Sequence, residues 1–137
     1  MSGFVLGPDA GPAYEFHGAT VVIKASGQDT LGQLAVMESV YPPELSVRPH
    51  VHDGEDEMFY LLDGKLTGFC EDDRWTATPG CFVFVPRDRV HGFTVTSREP
   101  ARALVITGPP QLDRQIAMRN QPPGPGRADG SSTTMAG

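Results

Sequence analysis

Apolar residues in this chain tend to recur at every second position, in runs of about five to eight residues bounded by Gly, Pro and Asp. The runs TVVIKA (Thr20–Ala25) and LGQLAVMESVY (Leu31–Tyr41) are parted by the turn-like SGQDT. Further on come EMFYLLDGKLTGFC from Glu57, RWTATPG from Arg74, CFVFVP from Cys81, HGFTVTS from His91 and ARALVITG from Ala101. Alternation of this kind places one face of a strand in a core and the other in solvent. Many short strands at even spacing predict an all-β protein, an antiparallel sandwich or barrel. Asp63-Gly64, set between two such runs, predicts a hairpin turn. Helical spacing is confined to QLDRQIAMRN (Gln111–Asn120), which follows two prolines, with Ile116 and Met118 expected on its buried side. One domain is expected over residues 1–120. The last stretch, QPPGPGRADGSSTTMAG (121–137), has almost nothing to bury and is expected to be a flexible tail.

Composition narrows the partners. A net charge of -6, with eleven basic residues scattered along 137, argues against nucleic acid or an anionic membrane. No apolar run reaches the length of a bilayer span. The N-terminal MSGFVLGPDAGPAYEF lacks the basic segment and long apolar run of a secretory signal. A cytoplasmic location is therefore expected, where Cys70 and Cys81 stay reduced.

Chemistry concentrates in PHVHDGEDEMFYLLDG (Pro49–Gly64). In a strand, His50 and His52 project to one face and can reach one metal ion. Glu57 opens the next run and shares its face with Phe59 and Leu61, while Met58, Tyr60 and Leu62 share the other. His91 shares a face with Phe93 and Val95 and is positioned to supply a third imidazole. Asp53, Glu55, Asp56 and Glu57 all lie near enough in sequence to be the carboxylate.

The gaps between these residues resemble the two motifs of the cupin superfamily. His50-Val51-His52, four residues, Glu57, six residues and Gly64 match the later part of the first motif. Gly80, five residues, Pro86-Arg87-Asp88, two residues and His91 match the second. Glu44 stands where the first motif begins with glycine, Asp88 replaces a second glycine, and Val95 replaces an asparagine. Fifteen residues, 65–79, part the motifs, and the resemblance spans roughly residues 31–108.

That resemblance implies an antiparallel jelly-roll β-barrel. It implies one divalent transition metal held by His50, His52, Glu57 and His91 at a site with open coordination positions. Nitrogen and oxygen ligands of this mix suit Fe(II), Mn(II), Ni(II), Co(II) or Zn(II). Glu55 then lies beside the ligands or substitutes for one, and Asp53 and Asp56 become solvated turn residues. The barrel interior becomes a pocket lined by Phe59, Leu61, Phe82, Phe84, Phe93 and some of Leu34, Val36 and Val105. Such a lining suits an apolar or aromatic small molecule.

Within the superfamily the chain looks most like the small single-domain cupins related to quercetin dioxygenases. The implied activity is cleavage by dioxygen of an enolisable or phenolic aromatic substrate, with Glu57 as both ligand and general base. Two alternatives stay open: non-redox cyclisation, isomerisation or decarboxylation of polyketide or keto-acid substrates, and a non-enzymatic ligand-binding module. A homodimer joined at a strand edge is also implied. The segment before Leu31 and the C-terminal helix are the pieces that would swap or cover an edge. His17 stands outside both motifs and is expected to be a structural or surface residue.

Overall fold

The computed structural model describes residues 3–120; the expected flexible tail lies outside the described residues. Among the described residues, ten strands are followed by one helix. In chain order they are β1 (Ala13–Phe16), β2 (Ala19–Ala25), β3 (Ala35–Tyr41), β4 (Ser46–His50), β5 (Asp56–Asp63), β6 (Leu66–Cys70), β7 (Asp73–Ala77), β8 (Phe82–Val85), β9 (His91–Val95), β10 (Ala101–Gly108) and α1 (Leu112–Arg119). They form two antiparallel sheets, β1-β2-β3-β10-β5-β8 and β4-β9-β6-β7. The alternation's antiparallel all-β expectation holds, and the fold is the jelly roll that the resemblance implies, with two sheets facing each other across one core rather than a closed barrel.

Period-two patterning decides which side chains fill that core. In β3, Ala35, Met37, Ser39 and Tyr41 are buried while Val36, Glu38 and Val40 face outward. Its neighbour β10 buries Ala101, Ala103, Val105 and Thr107. The smaller sheet contributes Leu66, Ala77, Phe93 and Val95.

Asp63-Gly64 does not close a hairpin. β5 pairs with β10 and β8, whereas β6 pairs with β7 and β9, so the chain crosses from one sheet to the other at this turn. Gly64 has φ +81°, and a Cβ there would lie 2.6 Å from Ala101 Cα. The dipeptide marks a corner too tight for any other residue, which local sequence cannot tell from a hairpin turn.

The helix forms where expected but is rotated relative to expectation. Leu112, Asp113 and Ile116 are its buried residues, and Met118 is 65% exposed. The spacing of four from Leu112 to Ile116 defines the packed stripe, and Met118 falls off it. α1 packs against β1 and β3 at one end of the sandwich. Cys70 and Cys81 are both free thiols, on β6 and just before β8 in different sheets. No helix among the described residues is long and apolar enough to cross a membrane.

Candidate metal centre

Three elements bring the site together. β4 ends on His50, β9 begins on His91, and these two residues are direct cross-strand partners. β5 begins at Asp56, so Glu57 is its first inward side chain. His52 lies in the loop between β4 and β5 rather than on the strand with His50. That loop is pinned from the opposite side: Asp88 N–H donates to the His52 carbonyl (2.9 Å), and Gly54 N–H donates to Asp88 Oδ1 (2.9 Å).

His50, His52, Glu57 and His91 each offer one ligand atom, and these four atoms lie within 4.8 Å of one another. That spread is close to the width of a shell of nitrogen and oxygen ligands at about 2.1 Å from one ion. The tautomers suit it. His50 Nδ1 and His91 Nδ1 donate to the carbonyls of Arg48 (2.7 Å) and Arg89 (3.0 Å), so their Nε2 atoms are the free ends. His52 Nδ1 lies 3.5 Å from Glu55 Oε1, and its buried Nε2 has only the Glu57 carboxylate beside it, outside hydrogen-bond geometry. His52 Nε2 and His91 Nε2 each lie 3.2 Å from Glu57 Oε1. Nδ1 held by a carbonyl or carboxylate with Nε2 turned inward is how metal-binding imidazoles are oriented. The donor set therefore fits a divalent transition ion.

Without an ion, charge is balanced by protons. Burial alone would raise the Glu57 pKa, but His52 and His91 bring it down to about 2. Burial alone would lower that of His52, but Glu55 and Glu57 raise it to about 10. His50, which lacks such a partner, is lowered by burial.

The other acids separate by position. Glu55 is buried and is not among the converging ligands; its Oε2 accepts the N–H groups of Gln111 (2.8 Å) and Leu112 (3.0 Å). It thus caps α1, whose own N-cap residue makes no side-chain bond. Asp56 is more than a solvated turn residue, since it takes the Arg87 backbone N–H (2.8 Å) and pairs with the Arg87 guanidinium. Asp53 is exposed.

A cavity of about 50 Å³ opens beside the cluster. Of the four converging side chains, His50 and Glu57 reach its wall. Phe59, Phe93 and Val105 line it as expected, and Leu112 and Ile116 of α1 close it. Leu61 is buried in the core but off the cavity wall. Phe82 and Phe84 are 61% and 50% exposed and face away from it. The register explains the reversal: Val85 pairs with Glu57, so Val85 and Val83 share its inward side and the two phenylalanines point out. Val36 and Leu34 are off the wall too, Val36 being the outward neighbour of Ile106.

Three polar wall residues escaped the sequence reading. Ser39 and Tyr41 belong to the buried set of β3 and were legible from its alternation. Burial, and then Glu57, push the Tyr41 phenol up, so it remains protonated. His17, expected at the surface or in a structural role, is half-buried and lines the cavity, and its only signal was a His-Gly dipeptide at a turn.

Comparison with known proteins agrees with this geometry. A family model described as Cupin domain matches residues 37–107. Quercetin 2,3-dioxygenase of Bacillus subtilis (strain 168) is 32% identical over 75 residues, which are 55% of this chain and 22% of that enzyme. The chain thus spans less than a quarter of the length of the curated relative it matches. Among solved structures, an RmlC-like cupin from Shewanella frigidimarina superposes with a TM-score of 0.66 at 14% identity, over 83% of this chain and 96% of that one. The polyketide cyclase RemF from Streptomyces resistomycificus superposes with a TM-score of 0.65 at 24% identity, over 78% and 79% of the two chains. At these identities the two structures share the fold with this chain.

Proposed function

Because the chain belongs to the cupin domain family, we propose that it is a metal-dependent enzyme acting on a small molecule, in the first instance a dioxygenase of an enolisable or phenolic compound. The observation that carries the reading is the convergence of three imidazoles and one carboxylate within 4.8 Å, each histidine set by a separate acceptor. The match to a quercetin dioxygenase supports the choice of chemistry.

A divalent transition ion held by His50, His52, Glu57 and His91 supplies Lewis acidity toward an enol or phenol oxygen and, if redox-active, a route to dioxygen. The remaining work falls to the chain. Glu57 faces both the ligand cluster and the cavity, so it is the carboxylate placed to accept a proton from an entering hydroxyl. Phe59 and Phe93 pack edge to face at 5.6 Å and give an apolar wall for the substrate. Leu112 and Ile116 exclude water from the closed side.

Size favours a second reading. A cavity of about 50 Å³ is far below the 300–1,000 Å³ of ordinary ligand pockets. A flavonol enters only if α1 yields, whereas a small diketone or keto acid asks for less movement. Non-redox conversion of such a carbonyl compound is the alternative. Oxygen-electrode traces decide between them. Uptake with a flavonol or a small enolisable diketone, on Fe(II)-, Mn(II)-, Ni(II)- or Co(II)-loaded protein, supports the dioxygenase. Product without uptake, and equal rates on Zn(II), supports the alternative. No metal retained after loading would sink both.

A homodimer is part of the proposal, through a sheet face rather than a strand edge. The outer side of the six-stranded sheet aligns Val36, Ile106, Met58 and Phe84 in one row and Leu104, Tyr60 and Phe82 in the next. Its ions are internally paired, Arg102 with Glu38 (2.8 Å) and Asp63 (2.7 Å), so a second copy of the same face meets little net charge.

A further inference from the structure

We infer that His17 is a second polar anchor of the cavity, hydrogen-bonding the end of the substrate remote from the metal-binding side chains. The inference rests on the small-molecule reading above and specifies its substrate as two-ended.

Position comes from the hairpin. Phe16 pairs with Ala19, so His17 and Gly18 are the central residues of the β1–β2 turn, with φ +50° and +88°. A turn with positive φ at both positions favours Asn or Asp before Gly. Holding a histidine in the left-handed region is unfavourable, and nothing in the turn itself calls for an imidazole. Strain of this kind is more often kept where the side chain has a task.

Orientation and chemistry supply the task. The His17 ring packs edge-on against Phe16 at 4.3 Å, which fixes its plane, and it borders the cavity that His50 and Glu57 also border. Its Nε2 is shut off from solvent and has no hydrogen-bond partner among the described residues. Leaving such an atom unmet is unfavourable, and a ligand group that bonds it removes that cost. A surface turn residue would instead leave Nε2 to solvent. Burial, and then Arg119, lower the pKa of the ring, so it meets a ligand as a neutral imidazole. The matching molecule carries an enol or phenol oxygen at one end, an uncharged donor or acceptor at the other, and an apolar span against Phe59 and Phe93 between them.

Calorimetric titration of the full-length Zn(II)-loaded protein with two probes of near-equal shape tests this. 4-(Hydroxymethyl)catechol carries a remote hydroxyl that can donate or accept, and 4-ethylcatechol carries a methyl in its place. Wild type should bind the hydroxymethyl probe relatively better than two variants do. His17→Phe keeps a ring on Phe16 without nitrogen, and His17→Asn gives the turn its preferred residue with a shorter reach. In both, the affinity ratio of the two probes should fall about fivefold or more, while binding of 4-ethylcatechol stays within about twofold and His17→Asn melts no lower than wild type. If the ratio is unchanged in both variants while 4-ethylcatechol still binds, His17 is a turn residue only and the metal-centre reading stands. If neither probe binds wild type, the substrate reading and the anchor fall together.

Discussion

Glu44 and Asp88 occupy two positions where the cupin motifs carry glycine, and both hold positive φ, +69° and +66°. An L-residue in that region meets its own carbonyl at a cost of about 1–2 kcal/mol. Asp88 recovers part of this by accepting the Gly54 N–H, and aspartate tolerates the conformation better than most residues. Glu44 makes no side-chain hydrogen bond among the described residues. Glu44→Gly should therefore stabilise the protein by about 0.5–1 kcal/mol in denaturant unfolding, and Asp88→Gly should gain nothing. Equal gains from both would show that the Gly54 bond is worth little.

The ligand cluster sets a pH dependence with two limbs. His52 is raised from 6.5 to about 10, so the stability it confers on the metal-free protein is complete below 6.5 and is lost as pH rises toward 10. Glu57 is lowered from 4.5 to about 2, so its contribution is complete above 4.5 and is lost as pH falls toward 2. Metal-free protein should hold these contributions between those limits and melt at lower temperature at pH 9 than at pH 6. Metal-loaded protein should lose less over the same interval, because the ion takes the place of the His52 proton and binds more tightly as pH rises. A metal-free melting temperature that climbs from pH 6 to pH 9 would contradict the His52–Glu57 pairing. At this scale the sequence was most legible, because the resemblance to the cupin motifs picks out His50, His52, Glu57 and His91, and these four side chains converge in the structure. His17 was not, since nothing local says that a turn will fold over a cavity.

Helix α1 joins the ligand cluster to the cavity wall. Glu55 takes its first two free N–H groups on Oε2 and faces His52 Nδ1 on Oε1, while Leu112 and Ile116 close the cavity from the same helix. Glu57→Ala should abolish metal retention by elemental analysis. Glu55→Ala should weaken metal binding about 10–100-fold, as loss of a partner that orients a ligand does. It should also speed amide exchange across Leu112–Arg119, which a role confined to the cluster would not. Ile116→Ala should cost about 2–5 kcal/mol of stability and widen the cavity, raising turnover of larger aromatics relative to small ones. The existence of the helix was legible from its spacing, but its rotation was not: Met118 is as apolar as Ile116, and only the seat between β1 and β3 decides which is buried. The phase of β8 was hidden for the same reason. CFVFV alternates two apolar sets, so either could face inward until pairing with β5 fixed Val83 and Val85 there.

Across the whole molecule, that phase leaves an apolar outer face. Phe82, Phe84 and Tyr60 are exposed on the six-stranded sheet beside half-buried Met58, Leu104 and Ile106. Alternation reads correctly as one buried and one outer face per strand, but where both sets are apolar, as in β8, it cannot say which set faces out or what covers it. It also cannot assign strands to sheets, which is why the corner at Gly64 read as a hairpin. An isologous contact repeats one residue across a two-fold axis, so a single charge introduced into the patch is introduced twice. Phe84→Glu should therefore convert a dimer to a monomer in analytical ultracentrifugation. It should leave metal content unchanged, because Phe84 points away from the ligand cluster. Glu44→Gly, which also removes a charge but lies off this face, should leave the dimer intact. A wild-type protein that sediments as a monomer at micromolar concentration would remove the dimer, and the apolar face would then need another partner.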